Sequence, residues 1–245
     1  MLYPKIKIEV WTDIMCPYCY IGKIHYEKAL KQFAHANEVE LIIKAFQLNP
    51  DLPDKGNGYP VVDYLLETAG IPEDSVNRMF TSIEAMADNV GVKFNLRNAI
   101  AANTMDAHRL IKLAAKKNLD SDILMLISKA YFEDARDYSN IELLVELGQK
   151  VGLDETEMRQ MFAGDDFRKE VMQDIEEAHK LGIDTVPTFL FERQQAIIGS
   201  ESVAVFLDTL NKTYENRNRK SDNNTQEKPE VRKGKSCNPD GTCEL

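Results

Sequence analysis

Two cysteines, Cys16 and Cys19, stand in "DIMCPYCYIGK" with Pro17 and Tyr18 between them. A second pair, Cys237 and Cys243, stands in "KSCNPDGTCEL" at the far end. Thiols at such spacings close a structural disulfide, supply half of a metal site, or cycle as a redox dithiol. "KIKIEVWT" (5–12) alternates and carries β-branched residues, the pattern of a strand. Pro17 opens the helical segment that follows, where its missing N–H costs nothing. Cys16 then falls at a helix start, with Cys19 three residues on along the same face and within reach of a disulfide. The two are chemically unequal. Unsatisfied N–H groups and the helix dipole favour an anion at the first position. The spacing therefore predicts Cys16 as the thiolate nucleophile and Cys19 as the resolving thiol. A zinc site needs four ligands, and the body of the chain offers neither a second CxxC nor a His pair. Only the tail pair could complete one, so no metal is expected.

"TVPTF" (185–189) is the second element with chemical content. Val186-Pro187 precedes a strand pattern. A cis bond in a tight turn and an ordinary trans proline at a strand start both fit. If Pro187 faces the dithiol, the backbone of Val186 is free to pair with a substrate peptide as an added strand. Thr185, Pro17 and Tyr18 would border the same groove.

These residues need a frame. The strand at 5–12, the helix from Pro17 and the apolar run "VELIIKAFQL" (39–48) open the chain as β-α-β. From about Asp51 the patterns are helical, and most stop at Gly or Asn, as C-caps do. Strand patterns return at 185–192 and 195–199, followed by a helix over "SESVAVFLDTLNKTY", with Ser200 as a candidate cap. Neither flank buries a sheet alone. The expected fold is α/β, one unit from residues 1–50 and 182–214 that accepts an all-helical insertion at 51–181. Residues 215–245 are nearly devoid of aliphatic side chains up to the tail cysteines and are expected to be disordered.

The remaining composition narrows the function. The chain has 245 residues, 43% of them hydrophobic, ample for a buried core without staples. A formal charge of −10 argues against nucleic acid or an anionic membrane as partner. No apolar run reaches the roughly 18 residues of a membrane span. The N-terminal segment lacks the continuous apolar core of a signal peptide, so the expected compartment is the cytoplasm. There thiols stay mostly reduced, and a CxxC reads as catalytic rather than as a brace.

With both motifs in hand, the chain resembles the thioredoxin superfamily. CPYC and TVP alone look like glutaredoxin, but the stretch from Cys16 to Pro187 is far longer than a glutaredoxin. The large insertion is similar to the DsbA branch. Within that branch, "WTDIMCPYCYIGK", "AFQLNPDLP", "NTMDAHRL", "KAYFEDARD" and "AHKLGIDTVPTF" resemble the FrnE-like group, over roughly residues 5 to 212. The resemblance implies a thioredoxin fold with a helical insertion and dithiol–disulfide exchange. Cys16 would be the nucleophile, Cys19 the resolving thiol and Pro187 a cis-proline after Val186. Thr185 departs from the group's usual Gly, and "GSES" (199–202) from a more usual Gly-Ala. Both departures touch substrate preference. Kappa-class glutathione transferases and hydroxychromene carboxylate isomerases look similar in plan but typically carry Ser where Cys16 stands. In that alternative, a glutathione-dependent transferase or isomerase, Ser200 and Glu201 would hold the glutathione α-amino group. Otherwise they simply open the last helix.

Other residues carry two readings each. Asp13 could tune the dithiol or shape its turn. His108 could line the site or pack in the core. Arg109 reads as a solvated or ion-paired helix residue. Met79, Met86, Met105 and Met125 suit a peptide surface or ordinary core filling. In the tail, Asn238-Pro239-Asp240-Gly241 is a type I turn signal that would bring Cys237 and Cys243 together. A coil over 215–236 spans roughly 25 Å, enough to reach Cys16. The tail pair is then an auxiliary dithiol that exchanges with Cys16–Cys19, an inert pair, or a soft-metal clip. The sequence points to a thiol–disulfide oxidoreductase acting on protein or small disulfides, as a monomer or homodimer. It needs no bound cofactor, with glutathione or thioredoxin as candidate electron partner. The competing reading outside enzymology is a zinc-binding or redox-sensing module.

Overall fold

The computed structural model describes residues 5–54, 57–220, 230–238 and 243. The first strand, β1 (Ile6–Thr12), leads through a short loop into α1 (Pro17–Gln32), and β2 (Val39–Ala45) returns parallel to β1. A long excursion follows. It contains β3 (Tyr59–Pro60), the short α2 (Val61–Asp63) running into a π-helical turn at Tyr64–Thr68, α3 (Glu73–Val90) and β4 (Ile100–Ala101). Then come α4 (Met105–Ala115), α5 (Asp120–Phe132), α6 (Ile141–Lys150), α7 (Glu155–Ala163) and α8 (Arg168–Leu181). The chain closes with β5 (Thr188–Phe191), β6 (Gln195–Ile198), α9 (Val203–Lys220) and β7 (Glu230–Lys233).

The main sheet has the order β2-β1-β5-β6-β7, with β1 against β5 and β5 against β6 antiparallel. Alternation along the strands divides its faces. Phe189 pairs with Val10 and Phe191 with Ile8, which puts these side chains on one face. There Tyr26 of α1 and Phe206 of α9 meet Phe189 at ring distances of 5.7 and 4.9 Å. Trp11 points to the other face and donates its indole N–H to the Asp174 carbonyl of α8 at 3.0 Å. The Asp174 carboxylate takes the Ala45 amide at 2.9 Å and pairs with Lys44 and Lys112. α8 is thus a layer of the sheet, and the expected boundary at 181/182 cuts it away from the strand that it covers. Gly91 and Gly182 end α3 and α8 with positive φ, the left-handed cap their sequence positions suggested.

The insertion is helical as expected, with β3 and β4 adding a two-residue ladder. One expectation needs correction. The segment from 215 is not a disordered tail over its described residues. α9 runs on to Lys220, and β7 joins the main sheet parallel to β6. The physical reason is that strand addition uses backbone groups. A segment poor in apolar side chains still satisfies its N–H and C=O groups on an unpaired sheet edge. Residues 239–241 of the expected turn, like residues 221–229 of the linker, lie outside the described residues.

Candidate active site

The loop from Asp13 to Cys16 and the first turn of α1 hold the dithiol. Cys16 is the N-cap residue with extended backbone, Pro17 occupies the first turn, and the Cys19 amide donates to the Cys16 carbonyl at 3.0 Å. Both cysteines are free thiols, and both are buried. The Val186–Pro187 peptide is cis, and the Cys16 Sγ lies 3.6 Å from the Val186 carbonyl oxygen. The two motifs that the sequence holds far apart therefore meet. Pro17 and Tyr18 are buried beside them, while Thr185 is half-exposed and its carbonyl accepts from the Thr188 hydroxyl at 2.7 Å. Gly22, one turn into α1, makes room for Pro187: a Cβ there would lie 3.2 Å from the Pro187 Cγ.

The tail completes the arrangement. Cys237 and Cys243 form a disulfide, and Cys237 is fully buried. Cys237 pairs with Val186 as an antiparallel bridge, donating its N–H to the Val186 carbonyl at 3.0 Å and accepting the Val186 N–H at 3.1 Å. The Ser200 amide donates to the Lys235 carbonyl at 2.7 Å. The backbone edge of Val186, expected to await a substrate, is occupied by the chain's own tail. The candidate cap Ser200 does not cap α9; that place is held by Ser202, whose hydroxyl accepts from the Val205 amide.

This placement alters the thiol chemistry expected of Cys16. Burial pushes its pKa well above the ordinary thiol value, with Cys19 and the charge of Asp13 as smaller contributions. A helix terminus is worth about 0.3–1 kcal/mol to an anion. Full burial shifts a group by up to roughly 3–5 pK units, or several kcal/mol. Burial therefore works against the helix dipole at Cys16 and disfavours the thiolate in this arrangement.

Asp13 and His108 also come together here. The His108 Nε2 lies 3.2 Å from Asp13 Oδ1, and both side chains are buried. Of the two readings of Arg109, solvated or ion-paired, the structure shows the ion pair, and it is buried. It is 2% exposed, pairs with Asp106 and donates to the carbonyls of Met161, Gly164 and Asp166. Met79, Met86, Met105 and Met125 pack in or against the core rather than forming an open surface. Sequence reasoning missed Gly22 and Lys235. The contact that defines each is made by residues distant in the chain, and no local pattern marks it. Among the described residues, no group of acidic, His and Cys side chains could hold a metal ion, and no helix is long and apolar enough to cross a membrane.

Known proteins of similar sequence and shape share this plan. The chain is 26% identical over 188 residues to the uncharacterised protein YwbO of Bacillus subtilis, covering 76% of this chain and 86% of that one. A crystal structure of a probable DsbA oxidoreductase from Streptomyces coelicolor superposes with a TM-score of 0.80 at 30% identity, over 98% of this chain and 99% of that one. The cytosolic disulfide reductase DsbM of Pseudomonas aeruginosa, solved with GSH, shares the fold with a TM-score of 0.57 at 15% identity, over 88% and 98% of the two chains. The family model of the DSBA-like thioredoxin domain matches residues 7–211. The chain belongs to the DsbA-like thioredoxin family of thiol–disulfide oxidoreductases.

Proposed function

We propose that the protein exchanges dithiols and disulfides through Cys16 and Cys19, on protein or peptide substrates, with the Cys237–Cys243 disulfide as its internal exchange partner. The observation that carries this reading is the Cys237–Val186 bridge, because the Val186 carbonyl also faces the Cys16 thiol at 3.6 Å. In the first step the Cys16 thiolate attacks the Cys237 sulfur. The Cys16–Cys237 bond forms, and Cys243 leaves as a thiolate. Cys19 then loses its proton and attacks the Cys16 sulfur, closing Cys16–Cys19 and releasing Cys237 as a thiolate. Two electrons have moved from the first pair to the second, and the reverse sequence moves them back. A substrate strand would take the place of Cys237 at Val186. The quoted motif blocks support the FrnE-like reading, cysteine usage supports a cytoplasmic reaction, and glutathione or thioredoxin would serve as electron source.

The test is one double variant and one single variant. In Cys19→Ser/Cys243→Ser, mild oxidation should link Cys16 to Cys237 within one chain, as read by peptide mapping under non-reducing conditions. Absence of that link overturns the internal exchange. Cys16→Ser should abolish turnover of a disulfide substrate, and retained activity would favour the transferase reading instead.

A further inference from the structure

A buried carboxylate sits beside the dithiol, and its partners come from three separate parts of the fold. Asp13 is 1% exposed. Its Oδ1 accepts the Ile14 amide at 2.8 Å and faces the His108 Nε2 at 3.2 Å, and its Oδ2 accepts the Leu48 amide at 2.7 Å. Three donors on two oxygens are the complement of a carboxylate anion, which only accepts. The Asp13 amide in turn donates to the Cys19 Sγ at 3.5 Å. His108 belongs to α4 in the insertion and is also 1% exposed. Its Nε2 faces a second acceptor, the Phe46 carbonyl, at 2.9 Å. A ring nitrogen between two acceptors carries a proton, which fixes the tautomer. The other titratable side chains around this point are Cys16, Cys19, Tyr131 of α5, and Tyr138 and Asp137 before α6. Both phenols are pushed up, first by burial and then by neighbouring groups that include Asp13, so they stay neutral and do not offset its charge.

We propose that Asp13 and His108 are positioning residues for the dithiol: His108 holds the Asp13 carboxylate as a fixed negative charge that opposes formation of the Cys16 thiolate. The helical insertion thereby enters the redox site through one imidazole. The consequence deepens the exchange reading and rests on it. A site that stabilises its thiolate stabilises its reduced form and acts as a strong oxidant. A site with a fixed anion beside the thiol does the reverse, and its thiolate, once formed, is the more reactive nucleophile. At pH above the Cys16 midpoint, where the thiolate forms, the pair biases this protein towards the reductase direction.

The test uses the full chain with Cys237→Ser and Cys243→Ser, so that only Cys16 and Cys19 titrate. Thiolate absorbance of the reduced protein is followed against pH. Asp13→Asn should lower the first thiol midpoint by about one unit, a tenfold gain in acidity. At alkaline pH its exchange constant with glutathione should move up to about tenfold towards the reduced protein, about 30 mV for this two-electron couple. His108→Leu should displace the midpoint, and His108→Gln, which keeps an N–H within reach of Asp13 and Phe46, should restore it. An unchanged midpoint in a folded Asp13→Asn protein, with only thermal stability lowered, assigns the pair a structural role and overturns the proposal. If Asp13→Asn does not fold, equal midpoints in the two His108 variants overturn it. The titration reads Cys16 whether or not the protein turns over disulfides, so its failure is separate from failure of the exchange reading.

Discussion

Cys237 occupies the backbone edge of Val186 as one more strand residue, and the carbonyl it bonds lies 3.6 Å from the Cys16 thiol. The tail therefore covers the site in the same manner in which an extended substrate would bind it. Cys16 is buried beside this pairing, and burial is the first cause of its raised thiol pKa.

The seat of the tail is narrow enough to block with one side chain. A Cβ on Gly234 would lie 2.7 Å from the Ser200 carbonyl oxygen and 2.9 Å from its carbon, both backbone atoms that cannot swing aside. Gly234→Val should unseat the tail without touching Cys16, Cys19 or Pro187. We expect alkylation of Cys16 at neutral pH to accelerate by about tenfold or more, as the thiol returns to water and its pKa falls. Alkylation rates followed by mass spectrometry check this, and an unchanged rate would mean that the tail does not protect the thiol.

Tail docking should also depend on pH. The docked form holds Cys16 above the ordinary thiol value, so docking favours the protonated thiol. By linkage, docking is strongest below the undocked pKa of Cys16 and weakens as pH rises from there towards the docked value. The Val186 amide resonance, followed from about pH 7 to 10, should move towards the position seen in Gly234→Val.

Gly22 tests the contact between helix and proline loop. Gly22→Ala gains about 1 kcal/mol of helix propensity but places its Cβ 3.2 Å from Pro187. Its melting temperature should stay near that of the parent while disulfide exchange slows, because Pro187 is pushed off the dithiol. Gly22→Val should cost about 1–3 kcal/mol by overpacking. A thermal melt and a turnover assay separate the two effects.

Asp174 ties α8 to the sheet. Asp174→Ala removes the partners of the Ala45 amide, Lys44 and Lys112 together. Loss of one member of a buried ionic group costs about 3–5 kcal/mol, and denaturant unfolding should show a loss near the lower figure because both lysines are partly exposed.

Arg109 braces the turn between α7 and α8. Arg109→Ala leaves the carbonyls of Met161, Gly164 and Asp166 without its donors. The expected loss is on the order of 3 kcal/mol, with hydrogen exchange accelerated first in residues 161–168. Arg109→Lys should recover only part, since an ammonium cannot serve three carbonyls in a planar fork.

Much of this molecule was legible in its residues. The alternation of 5–12, the proline after Cys16 and the apolar run at 39–48 specify β-α-β by local propensity and periodicity, and the CxxC at the helix start follows from them. The Cys16–Pro187 encounter was legible only through the family resemblance, since no local pattern spans so great a separation. The tail's order was not legible, because composition reports what side chains can bury and is silent on a backbone that finds a vacant sheet edge. The state of Cys16 went the same way. Its helix position, encoded locally, favours a thiolate, while its burial under Val186 and Cys237 is a property of the assembled fold. Burial removes the water that would solvate a thiolate, so tertiary structure opposes at Cys16 the protonation state that its helix position favours.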